Sequence, residues 1–185
     1  MKKIKMSRIS IVLSVIVVIF LIAYVFRALL FDNYVVDGES MEPTLEDGYN
    51  LMVNKIIYDV ADVDRFDVIV FHKNVKDDYV KRVIGLPGDS IEYKDDQLYV
   101  NGEYVEEAFL ESGSFSKYDT KTKDFTLKEV TGQTRVPEGK LFVMGDNRTN
   151  SLDSRKFGFI SQNQIVGKVD ASYQTLADIE IDLRH

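Results

Sequence analysis

Two side chains, Ser40 and Lys81, have the types and the setting to form a hydrolytic pair. Ser40 lies in Gly38-Glu-Ser-Met-Glu-Pro-Thr-Leu, punctuated by glycine and by Pro43. A turn of that composition presents a hydroxyl on a stiff backbone. Lys81 lies in Tyr79-Val80-Lys81-Arg82-Val83-Ile84. Strand alternation puts Lys81 on the face of Tyr79 and Val83, and Arg82 on that of Val80 and Ile84. A lysine among such neighbours loses hydration, which disfavours the ammonium and lowers its pKa. A serine hydroxyl needs an adjacent base to attack, and a neutral lysine can be that base. On residue type and spacing alone, the two also read as an ordinary turn serine and a solvated strand lysine. The competing base is His72, the only histidine besides the terminal His185. Its place at the end of the Phe-Asp-Val-Ile-Val-Phe run reads as a strand-end residue.

Short strands and turns must position these groups. Asp32–Asp37 approach the Ser40 loop in extended form. Strands are expected over Tyr49–Lys55, Phe66–Phe71, Tyr79–Ile84, Ser90–Tyr93, Gln97–Val100, Glu103–Val105, Leu141–Met144 and Ile165–Val169, with a last edge strand or tail at Ile179–Leu183. Lys94-Asp95-Asp96 turns one hairpin, and Asn101-Gly102 offers a tight type I′ turn into the next. Residues 106–135 are polar apart from Phe125-Thr-Leu and read as an inserted small subdomain or a long surface excursion. The fold class is mainly β: an antiparallel sheet domain with a small insertion, behind one N-terminal helix.

Charge and hydropathy divide the chain. Of 23 basic and 30 acidic residues, the first 30 positions hold Lys2, Lys3, Lys5, Arg8 and Arg27 and no acidic residue. The body that follows is strongly acidic, which argues against nucleic acid as a partner. Cysteine is absent. That excludes disulfides, thiolate zinc sites and a cysteine nucleophile, and with two histidines a multi-histidine metal site is not expected. Residues 9–26, Ile-Ser-Ile-Val-Leu-Ser-Val-Ile-Val-Val-Ile-Phe-Leu-Ile-Ala-Tyr-Val-Phe, are apolar apart from two serines. A helix over 9–30 is about 33 Å long, matching a hydrocarbon core of about 30 Å. A cleaved signal peptide would have a shorter core and a small-x-small site after it. A buried soluble helix would not be apolar all round. The expected organisation is therefore a cytoplasmic N-terminus at 1–8, a transmembrane signal-anchor at 9–30 and a body at 31–185 on the outer face, since basic residues before the helix stay inside.

Three segments, Ser-Met-Glu-Pro-Thr-Leu at 40–45, Tyr-Val-Lys-Arg-Val-Ile-Gly-Leu-Pro-Gly-Asp at 79–89 and Gly-Asp-Asn-Arg-Thr-Asn-Ser-Leu-Asp-Ser-Arg at 145–155, resemble those of the type I signal peptidases. Their order and their place behind an N-terminal anchor fit the short, single-anchor bacterial form, over roughly residues 9–169. The resemblance implies a membrane-bound serine endopeptidase that cleaves signal peptides from exported preproteins after small-x-small sites. It implies Ser40 as nucleophile and Lys81 as general base. Ser151 would orient the lysine, Asp153 and Arg155 would hold that loop in shape, and Asp146 and Arg82 would support it. Met41, Leu45, Tyr79 and Val80 match residues that line the pocket for the residue before the cut. Tyr34 and Val36, spaced i and i+2, would add to the same groove. Shallow apolar pockets admit small side chains and exclude large ones by overlap. The implied partners are preprotein signal peptides and the lipid bilayer, the implied state is monomeric, and no cofactor is implied. The alternative is a non-catalytic or dedicated signal-peptidase-like factor for the assembly of particular surface proteins; a non-catalytic one should have lost Ser40 or Lys81, and both are present. Two departures stand out. Gly38 stands where some larger members carry a serine that helps bind the oxyanion, and the C-terminal stretch has no tryptophan.

Overall fold

Helix α1 spans Arg8–Leu30 in the computed structural model, which describes residues 8–110, 121–174 and 180–181. Its side chains from Ile11 to Val25 face outward: Phe20 is 72% exposed and Val17 64%. Among the described residues, no helix is long and apolar enough to cross a membrane.

In chain order the strands are β1 (Phe31–Val35), β2 (Asn50–Asn54), β3 (Val68–His72), β4 (Asp78–Gly85), β5 (Ile91–Lys94) and β6 (Gln97–Val100). They continue with β7 (Glu103–Val105), β8 (Phe125–Thr126), β9 (Lys140–Met144), β10 (Ile160–Ser161), β11 (Ile165–Tyr173) and β12 (Glu180–Ile181). Short helices α2 (Ile57–Val60), α3 (Leu127–Thr131) and α4 (Ser154–Phe157) lie between them. The larger sheet runs β1-β2-β11-β3-β4-β9-β10 with β12 added to β11, and the smaller runs β7-β6-β5-β8. The pairings are antiparallel.

The centre of the larger sheet is apolar on both faces. Val68 and Val70 of β3 pack with Leu51, Val53, Met41 and Leu45, whereas Ile69 and Phe71 pack with Val83, Leu141 and Val143. Strand alternation sends neighbouring side chains to opposite layers, so an unbroken apolar run is stable only where both faces are covered. A third cluster joins Ile84, Phe142 and Met144 of the larger sheet to Ile91, Tyr93 and Leu98 of the smaller one.

Several boundaries differ from expectation. Strand β3 begins at Val68, because Phe66 takes a left-handed conformation (φ 73°) that ends the ladder and turns its carbonyl to accept from Arg82 Nη1 at 3.0 Å. The approach segment is a true strand, β1, paired residue by residue with β2. Strand β11 runs on to Tyr173, because β2 and β12 both pair with it beyond Val169. Of residues 106–135, Phe125–Thr126 pair with β5 in the smaller sheet. Residues 111–120, and Ile179, Asp182 and Leu183 of the expected tail strand, lie outside the described residues.

Candidate active site

The loop between β1 and β2 is tied at its base and seated by its apolar residues. Val36 N–H donates to Tyr49 O at 2.8 Å, Gly48 N–H to Val36 O at 3.0 Å, and Gly38 N–H to Asp47 Oδ1 at 2.8 Å. Gly38 has φ 102°, a conformation an L side chain takes only under strain. One helical turn follows, with Leu45 N–H donating to Met41 O at 2.9 Å, and it drives Met41 and Leu45 into the core. Ser40 is left half-buried on the crest. Its N–H donates to no acceptor among the described residues.

Strand β4 brings Lys81 beneath that crest. Lys81 Nζ donates to Ser40 Oγ at 2.7 Å and to Val80 O at 2.8 Å, and it lies 5.5 Å from the centre of the Tyr79 ring. Lys81 is 3% exposed. Burial brings its pKa down to about 8, against the opposing pull of the Asp153 and Asp146 carboxylates. His72, at the end of β3, bonds Asp78 through Nδ1 on an exposed edge.

Residues 145–155 close the site from behind. Asn147 straps the two loops together, its N–H donating to Ser40 O at 3.2 Å and its Nδ2 to Glu39 O at 3.0 Å. Gly145 permits this approach, because a Cβ there would press on both the Ser40 carbonyl and Ser151 Oγ. Asp153 accepts from Arg155 Nε at 2.9 Å, from Arg155 Nη2 at 2.7 Å and from Gly145 N–H at 3.2 Å, and it caps α4. Burial alone would raise its pKa, but the Arg155 guanidinium and these hydrogen bonds outweigh burial and hold it below the usual value. Asp146 and Arg82 are both fully buried and meet through Nη2 at 2.6 Å and Nε at 2.9 Å. Arg82 also stacks 3.8 Å from the centre of the Phe109 ring. Arg148 crosses to the smaller sheet, donating to Tyr93 Oη at 2.9 Å and to Glu107 Oε1 at 2.7 Å. Ser151 is 3% exposed, and its hydroxyl, crowded against Gly145 beside the Ser40 carbonyl, helps to hold the neighbouring Asp153 carboxylate in its charged form. No hydrogen bond joins Ser151 to Lys81.

A groove of about 590 Å³ opens over the pair, walled by Tyr34, Val36, Met41, Val70, Tyr79 and Val80. Leu45 is not on its wall: the helical turn after Ser40 points it into the core, where it is fully buried. The spacing arguments missed Asn147, Arg148 and Leu152. All three lie in the quoted 145–155 segment. Leu152 is a half-exposed apolar residue between two buried polar ones, and it lines the groove.

These features coincide with clear relationships. The family model for signal peptidase, peptidase S26, matches residues 9–174. Signal peptidase I of Bacillus caldolyticus is 61% identical over 148 residues, covering 80% of this chain and 81% of that protein. Signal peptidase IB of Staphylococcus aureus is 42% identical over 170 residues, 89% of each chain. A crystal structure of a signal peptidase I from Enterococcus faecalis V583 shares 45% identity with a TM-score of 0.53, covering 60% of this chain and 98% of that one. With a family model spanning most of the chain and relatives this similar over nearly their whole length, the chain belongs to the S26 signal peptidases, a family of serine endopeptidases.

Proposed function

We propose that the protein is a membrane-anchored signal peptidase that cleaves signal peptides from exported preproteins through a Ser40–Lys81 dyad. The carrying observation is the 2.7 Å contact between Lys81 Nζ and Ser40 Oγ, made by a lysine whose pKa burial has brought near neutrality. In the neutral amine the Nζ lone pair takes the Ser40 proton while Oγ attacks the scissile carbonyl carbon. The oxyanion gains the unengaged Ser40 N–H as a donor. Lys81 then passes the proton to the leaving amine, and an ester to Ser40 remains. Water, giving one proton to Lys81, attacks the ester carbon, and Lys81 returns that proton to Ser40 Oγ as the C–Oγ bond breaks and the carboxylic acid leaves. These steps use groups of the chain alone, without metal or cofactor.

The remaining residues hold this geometry. Asp153 with Arg155, and Asp146 with Arg82, brace the loop behind the dyad, and the Ser151 hydroxyl turns to orient the amine. The apolar groove accepts an extended substrate segment with small side chains beside the cut. Helix α1, outward-facing from Ile11 to Val25, anchors the monomeric enzyme with its basic N-terminus in the cytoplasm and its body outside. It thereby confines enzyme and membrane-bound preprotein to one surface.

The test uses the full-length protein in detergent and a peptide with an Ala-x-Ala site. Ser40→Ala and Lys81→Ala each abolish cleavage, and Lys81→Arg fails with them, since a guanidinium stays charged. Full activity in a folded Ser40→Ala or Lys81→Ala variant would end the Ser–Lys mechanism.

A further inference from the structure

Three residues between β7 and β8 converge on one buried guanidinium. Phe109 and Thr122 are buried, and the Glu107 side chain is 9% exposed. Arg148 Nη2 donates to Glu107 Oε1 at 2.7 Å and Nη1 to Thr122 Oγ1 at 3.0 Å, and the guanidinium lies 5.9 Å from the centre of the Phe109 ring. Tyr93 of β5 closes the cluster, accepting from Arg148 Nη1 at 2.9 Å and donating to Glu107 Oε1 at 2.8 Å. Arg148 is the next residue after Asn147, whose N–H and Nδ2 hold the Ser40 and Glu39 carbonyls. A planar peptide joins the two, so a displaced Arg148 carries Asn147 with it. On the other side of Asn147 stands Asp146, paired with Arg82, and Arg82 stacks on the same Phe109 ring at 3.8 Å. The strap on the nucleophile's backbone is therefore held from both sides by buried ion pairs. One of the four partners, Glu107, comes from outside the three motif segments. A buried ion pair adds little stability over a well-packed apolar replacement. What a forked guanidinium–carboxylate contact supplies is a single fixed geometry.

We propose that Glu107 is a positioning residue for the cleavage reaction: through Arg148 and Asn147 it fixes the Ser40 carbonyl, and with it the place of Ser40 Oγ against Lys81 Nζ. The role rests on the Ser40–Lys81 dyad proposed above. It makes the smaller sheet part of the catalytic apparatus, although none of that sheet's residues lines the groove over the dyad. Misplacing a reacting group by about 1 Å costs on the order of a hundredfold in rate. Loss of the Glu107 anchor should therefore act on kcat and leave KM, set by the groove walls, alone.

The test is steady-state cleavage of an Ala-x-Ala peptide by the full-length protein in detergent, below the unfolding temperature of every variant, with near-ultraviolet circular dichroism as the check on folding. Glu107→Ala should lower kcat at least tenfold with KM within twofold of the parent. Asn147→Ala should do the same, and the double variant should be no more than about twofold slower than the slower single one, because both break the same link. If Glu107→Ala does not fold, Tyr93→Phe replaces it: nearly isosteric, it removes the hydroxyl that holds both Glu107 and Arg148, and at least a threefold loss of kcat with the same non-additivity is expected. Parental kcat in the folded Glu107 or Tyr93 variant overturns the proposal, and so do losses that multiply in the double variant, since these mark a general loosening of the fold. With Ser40→Ala inactive in the same assay, such a result removes the role of Glu107 alone; an active Ser40→Ala removes the dyad and that role together.

Discussion

A buried lysine with a pKa near 8 leaves two measurable traces, one in rate and one in stability. At pH 7 about one molecule in eleven holds the free amine, against about one in three thousand for a lysine at 10.5. kcat/KM for an Ala-x-Ala peptide therefore rises about tenfold per pH unit below 7, reaches half its limit near pH 8 and levels off above 9. The stability trace has a definite sign. Between pH 8 and 10.5 the folded chain has released the Lys81 proton while the unfolded chain still holds it, so stability rises with pH across that window. Below pH 8 the whole cost of the buried ammonium is present. The shift from 10.5 to about 8 corresponds to about 3 kcal/mol. Lys81→Met has no such proton to lose. The parent should therefore gain about 3 kcal/mol relative to the variant between pH 7 and pH 11, with all pH-independent differences cancelling. Urea unfolding followed by near-ultraviolet circular dichroism of the ten tyrosines reads this, there being no tryptophan. A stability difference that stays flat with pH would refute the buried-lysine argument. So would a rate limb centred near pH 6.5 that disappears when His72 is replaced.

Arg82→Met should destabilise the fold by about 3–5 kcal/mol in urea, because it strands Asp146 as an uncompensated buried carboxylate. Gly145→Ala should cut kcat far more than it raises KM, since the added methyl displaces the Ser40 carbonyl and Ser151 and leaves the groove walls alone; an unchanged kcat would show that the close approach is not needed. Protease added outside spheroplasts should digest the chain beyond about residue 31 and spare its N-terminus, and protection of the body until the membrane is opened would reverse the assigned orientation.

Motif order, apolar periodicity and turn residues were enough to read much of this molecule from its sequence. The hairpins at Asp95-Asp96 and Asn101-Gly102 could be read locally because positive φ at those positions is a property of the residues themselves. The type alternation around Lys81 pointed to its desolvation in the same way, and the apolar run at 9–26 indicated the long helix. Other features depended on partners remote in the chain. That Leu45 turns inward while Met41 reaches the groove was decided by one helical turn after Ser40, which residue spacing does not encode. Phe66 leaves its strand because its carbonyl is wanted by Arg82 and its ring packs on Phe109. Asn147 and Gly145 matter only because the tertiary fold lays their loop against the Ser40 carbonyl. Above all, the separation of 41 positions between Ser40 and Lys81 carries no information about distance. The pair forms because the loop after β1 is seated by its buried methionine and leucine directly over β4, and the same packing strips the water that would otherwise keep the lysine charged.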